Sequence, residues 1–110
     1  MDFSFLFKKA IQVRNKYSKL EQKETGKSWT NLNLMEGFVG DVGDLMKLVM
    51  AKEGLRKIED VDNKLAHELS DCLWSVLVLA NKYNIDLEAS FMNTMNELDE
   101  RIKQKLNEKN

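Results

Sequence analysis

The stretch GFVGDVGDL, residues 37–45, decides how this sequence is read. Around it Leu34, Met35, Phe38, Val42, Leu45, Met46 and Val49 recur at the spacing of one helical face. Yet Gly37, Gly40 and Gly43 interrupt the same segment, each costing a helix interior about 0.5–1 kcal/mol relative to alanine. At about 100° per residue the three glycines fall off the apolar stripe, interleaved with Asp41 and Asp44. Those two aspartates stand three residues apart and project from neighbouring positions. A bare strip therefore flanks a pair of carboxylates. Taken alone, it reads either as a strip for close helix packing beside solvated aspartates or as the edge of a ligand site.

The rest of the chain supplies the frame. With no proline and no sustained strand-type alternation, its 110 residues predict an all-α single domain over 1–110. Four helical segments emerge: Phe3 to about Gln22, closed by Gly26; Ser28 or Thr30 to about Lys52, closed by Gly54; from Asp60 or Asp62 to about Tyr83; and from Asp86 into ERIKQKL. A fraying tail is expected over about 104–110. Short links between four helices imply a four-helix bundle. Charged residues make up 32% and hydrophobic residues 43% at a net charge of −1, without a basic block, which excludes a nucleic-acid groove and a charged membrane surface. No apolar run approaches the roughly 20 residues that span a bilayer. One cysteine, Cys72, and one histidine, His67, are too few for a zinc cluster and predict a reducing, cytoplasmic setting.

The third segment, HELSDCLWSVLVLA, repeats the acidic theme. Glu68 and Asp71 are again three apart and lead into an apolar run dense enough to predict burial on all sides. Desolvating an ionised carboxylate costs several kcal/mol or more, so carboxylates enter a core paired or bound to metal. Two such pairs on adjacent helices would gather four negative charges. A divalent cation resolves the repulsion, and an all-oxygen set without histidine suits Mg²⁺, with Mn²⁺ as the alternative.

VGDVGDL on one helix and HELSDCLWSVLVLANKYNIDLEASF on the next together resemble the all-α nucleoside triphosphate pyrophosphohydrolases, the MazG-like group. That group includes deoxycytidine triphosphatases and dimeric deoxyuridine triphosphatases. The resemblance runs from about Leu34 through Arg101. The family pattern is Glu-Glu-x-x-Glu on one helix and Glu-x-x-Asp on the next. Asp41 and Asp44 stand at the second and third acidic positions of the first motif, and Glu68 and Asp71 match the second. The second and third glutamates of the first motif are thus shortened by a methylene, and Gly40 replaces the leading one, as in the deoxycytidine-type branch.

The resemblance implies Mg²⁺-dependent hydrolysis of a nucleoside triphosphate between its α and β phosphates, giving the monophosphate and pyrophosphate. It makes Asp41, Asp44, Glu68 and Asp71 the metal ligands and, through a metal-activated water, the catalytic set. Among the cations available to phosphate, Arg101 lines up with a family arginine on the last helix, and Lys47 follows the first acidic pair. A neighbouring family lysine is Glu97 here. Trp29 precedes the second helix where some relatives keep a base-stacking tryptophan, and Ser75 lies one turn beyond Asp71 as a further substrate contact. Trp74 is read as core and His67 as a local hydrogen-bonding group. The resemblance also implies a homodimer or a dimer-of-dimers tetramer that completes the bundle, with helices 1 and 4 supplying much of the contact. No Glu-x-x-His supports a di-iron bundle. The competing class is a helical nucleotide- or metal-binding module of the same fold with weak or lost turnover, suggested by the aspartate replacements and Gly40.

Overall fold

The computed structural model describes residues 2–108 and contains four helices and no strand among them. They are α1 (Phe3–Thr25), α2 (Asn31–Lys52), α3 (Val61–Lys82) and α4 (Leu87–Leu106). Short polar side chains set most of the starts. Asp2 accepts from the Phe5 amide at 3.0 Å, and Asp86 accepts from the Ala89 amide at 3.1 Å. Thr30 and Asn33 bond reciprocally to each other's backbone N–H, both at 3.1 Å, closing a capping box on α2. Asp60 precedes α3 with φ 55° and makes no capping bond to the backbone; its carboxylate accepts from the Asn63 side-chain amide instead. Gly26 and Gly54, with φ of 76° and 79°, turn the chain after α1 and α2 where a side chain would be strained.

Two expected boundaries differ. Helix α1 continues past Gln22 to Thr25, whose hydroxyl bonds back to the Glu21 carbonyl. Helix α4 stays regular through Leu106, so residues 104–106 are helical where fraying was expected, while residues 109 and 110 lie outside the described ones.

Helix α3 is the organiser. It packs along α2 over much of its length and against α1 over less. Leu77, Val78 and Ala80 of α3, Leu48 of α2 and Ala10 of α1 form the buried core. One long-range hydrogen bond ties α1 to α3, from Trp74 Nε1–H to the Ala10 carbonyl at 2.9 Å. Tyr17 packs on the same indole with ring centroids 5.6 Å apart. The expectation that α3 is enclosed on all sides does not hold within one chain: Leu69 and Leu73 are each 52% exposed. Helix α4 makes only marginal contact with the other three, and its stripe of Phe91, Met95, Leu98, Ile102 and Leu106 faces solvent. The radius of gyration is accordingly 18.1 Å, against about 13 Å for a compact domain of this length. The chain is thus a three-helix core with a fourth helix leaving it.

Candidate metal centre

The pairing of α2 with α3 brings the two acidic motifs face to face. Asp41, Asp44 and Glu68 each offer a carboxylate oxygen, and these oxygens lie within 4.8 Å of one another. Three charges that close are unfavourable without a partner, and the protonation equilibria show it. Asp41 is held above its ordinary pKa by burial first, then by the charges of Asp71 and Asp44, with His67 acting in the opposite sense. Glu68 is raised in the same way, by burial and then by Asp41, Asp71 and Asp44. Its Oε2 is fully buried and has no hydrogen-bond partner. An acceptor sealed from water and left without a donor is costly, and a cation satisfies it.

These observations fit a bound metal. The three carboxylate oxygens, within 4.8 Å of one another, lie near enough for a single divalent ion to be held by Asp41, Asp44 and Glu68 after side-chain movement. The donors are all carboxylate, the chemistry of a hard divalent ion. Asp71, the fourth expected ligand, lies beside the three rather than among them. It is half-buried near Asp41, and its Oδ2 is 3.2 Å from His67 Nε2, one turn earlier on α3. His67 thus behaves as the local partner expected of it.

Two cavities flank the carboxylates. One, of about 410 Å³, lies between α1, α2 and α3. Asp41 and Asp71 stand at one side of it, Tyr17, Trp29 and Trp74 supply aromatic surface, and Ser75 is also in the wall. Ser75 and Trp29, expected as substrate contacts, both line this cavity, and Trp74, expected as plain core, shares that wall while anchoring α1. The other cavity, of about 420 Å³, is bordered by Asp44, Glu68, Lys47, Lys64 and Asn63. Lys47 Nζ is 3.9 Å from Asp44. Arg101 stands elsewhere within one chain. It is exposed on α4 and lines neither cavity.

The glycines divide in role. A Cβ on Gly37 would meet Trp29 Cζ3 at 2.9 Å, so the absent side chain is what lets the indole lie against α2. Gly40 and Gly43 have nothing within 4 Å of that position. Sequence reasoning missed the assembly that holds Trp29. Arg14 is the one buried charged residue among those described, and its Nη2 bonds to Glu21 Oε1, which also accepts from the Trp29 amide at 2.9 Å. The Arg14 guanidinium lies 5.9 Å from the Trp29 ring centroid. A signal was present: Arg14 and Glu21 continue the Ala10–Tyr17 face of α1 at spacings of four, three and four, placing charge on an inward stripe.

The architecture defines a class, the all-α proteins that bring carboxylates together between two central helices with a cavity on either side. This chain belongs to the MazG nucleotide pyrophosphohydrolase domain family, whose model matches residues 30–106. The match is to the family as a whole and does not distinguish its branches. No curated protein and no solved structure matches it. No helix among the described residues is long and apolar enough to cross a membrane.

Proposed function

We propose that the protein is a Mg²⁺-dependent pyrophosphohydrolase that converts a nucleoside or deoxynucleoside triphosphate to its monophosphate and pyrophosphate, clearing surplus or non-canonical nucleotides in the cytoplasm. The observation that carries this reading is the convergence of Asp41, Asp44 and Glu68, with a buried Glu68 oxygen left unpartnered, inside a chain of this family. These three residues would hold the ion, Mg²⁺ or alternatively Mn²⁺, with Asp71 kept beside them by His67. When bound, the ion would neutralise phosphate charge and make a coordinated water more acidic. The chain's own residues do the rest. Trp29 and Tyr17 offer flat apolar surface to a base, and Ser75 offers a hydroxyl within the same cavity. Lys47 offers an ammonium to phosphate on the other side.

The exposed stripe on α4 and the open faces of α2 and α3 support a homodimer or a dimer of dimers, since a 20-residue helix is marginal in water without a packed face. In such an assembly Arg101 would serve phosphate only from a neighbouring copy.

Pyrophosphate release across a panel of triphosphates with Mg²⁺, beside an Asp41→Asn control, tests the function. Release that requires Asp41 is expected. No release from any triphosphate, with nucleotide binding intact, would replace the enzyme with a binding module of the same fold.

A further inference from the structure

The two cavities beside the carboxylates are nearly equal in size, about 410 and 420 Å³, yet their walls differ in kind. The first contains three aromatic rings and a single formal cation, Arg14, already committed to Glu21. The second has no Phe, Tyr or Trp in its wall and two lysines, Lys47 and Lys64. Lys64 forms no ion pair among the described residues. The carboxylates are shared out accordingly, with Asp41 and Asp71 on the aromatic side and Asp44 and Glu68 on the lysine side, while His67 borders both.

A nucleoside triphosphate has the same polarity, a flat weakly polar base at one end and a polyanion at the other. Placing the polyphosphate among the aromatics would set it against two aspartates with no uncommitted cation. The lysine side also holds two carboxylates, Asp44 and Glu68. It offsets them with the Lys64 ammonium, which has no ion pair among the described residues, the Lys47 ammonium 3.9 Å from Asp44, and the Asn63 side-chain amide, which keeps one hydrogen beyond its bond to Asp60. Resting on the pyrophosphohydrolase reading, we propose that the lysine-lined cavity is the seat of the leaving pyrophosphate, gripped by Lys47 and Lys64. The base then enters the aromatic cavity and the scissile α–β bond lies across the carboxylates. In the reaction the oxygen of water forms a bond to the α phosphorus, and the bond from that phosphorus to the α–β bridging oxygen breaks. The bridging oxygen departs with its electron pair on pyrophosphate, and a proton of the water passes to solvent. Lys64 and Asn63 are thereby product-side binding residues, unlike the carboxylates.

Calorimetric titration of the full chain with magnesium pyrophosphate and, separately, with nucleoside monophosphates tests the assignment. In Lys64→Ala, and more so in Lys47→Ala/Lys64→Ala, pyrophosphate affinity should fall about tenfold or more, the loss of charge-assisted hydrogen bonds, while monophosphate affinity stays within about twofold. Tyr17→Ala should do the reverse. Pyrophosphate affinity unchanged in the double variant, no pyrophosphate binding by the wild type, or a loss confined to the monophosphate would each overturn the proposal. A wild type that binds pyrophosphate through the lysines but cleaves no triphosphate would leave the subsite standing and remove the enzymatic reading. One that cleaves triphosphates but ignores the lysines would do the opposite.

Discussion

Replacing Glu68 by glutamine should stabilise the metal-free protein and destabilise the metal-loaded one relative to wild type. The carboxylate oxygens of Asp41, Asp44 and Glu68 lie within 4.8 Å of one another. Two unit charges at that separation repel by about 0.9 kcal/mol in a water-like dielectric and about 3.5 kcal/mol at an effective dielectric constant of 20. Asp44 is exposed and Asp41 and Glu68 half-buried, so the lower part of that range applies. Glutamine keeps the shape, removes one charge and supplies a donor where Glu68 Oε2 has no partner. A gain of about 1–2 kcal/mol follows, or a rise in Tm of about 5–10 °C for a domain of this size.

Calorimetry in chelator measures that rise, and a repeat in excess Mg²⁺ measures its reversal. Saturation at a hundred times Kd stabilises the wild type by about 2.7 kcal/mol, an increment the variant should lack. The pH dependence has a definite sign. A carboxyl group whose pKa is raised in the folded state contributes stability that is complete below its ordinary value and is lost as pH rises through the raised one. With Asp41 and Glu68 both raised, the metal-free wild type should lose stability as pH climbs upward from about 4. The glutamine variant should lose less. A variant that melts lower than wild type in chelator, or that keeps the full Mg²⁺ increment, would refute the reasoning.

Three further outcomes are expected. Arg14→Ala leaves Glu21 without its buried partner and should cost about 3 kcal/mol in denaturant unfolding, where an exposed ion pair would cost almost nothing. Gly37→Ala gains helix propensity but drives a Cβ to 2.9 Å from the Trp29 ring. Because that indole is 48% exposed it can swing aside, so stability should change by less than about 1 kcal/mol while Trp29 fluorescence shifts to the red and KM for nucleotide rises. The Cys72 thiol is held above its ordinary pKa by burial and, secondarily, by Asp41, Glu68 and Asp71. Its modification by a thiol reagent at mildly alkaline pH should accordingly be slow in chelator and faster with Mg²⁺, which cancels the carboxylate part; equal rates would contradict it.

What the sequence discloses and what it withholds follow a physical division. Features set within one turn of backbone are readable: Thr30, Asp86, Gly26 and Gly54 announce their helix ends because the caps are local. The convergence of Asp41, Asp44 and Glu68 is readable too, since three-residue spacing and two adjacent helices suffice to bring them together. Asp71 lies beside that group of three with its Oδ2 3.2 Å from His67 Nε2, an i,i+4 pair visible in the sequence but outweighed there by the acidic pattern. The cluster of Arg14, Glu21 and Trp29 needs α1 and its link to α2 folded back on each other, which no spacing alone specifies. Arg101 stands away from both cavities within one chain because α4 makes only marginal contact with the other helices, an arrangement that no local spacing specifies.

The detachment of α4 puts the association surface proposed above on a different helix from the carboxylates. Under that proposal, substitutions along Phe91, Met95 or Ile102 would retune how copies recognise one another while leaving the surroundings of Asp41 and Glu68 within each chain unchanged. Arg101, carried on the same helix, would tie the two properties together. Quaternary identity and base preference would then diverge along largely separate mutational routes, joined at that one arginine.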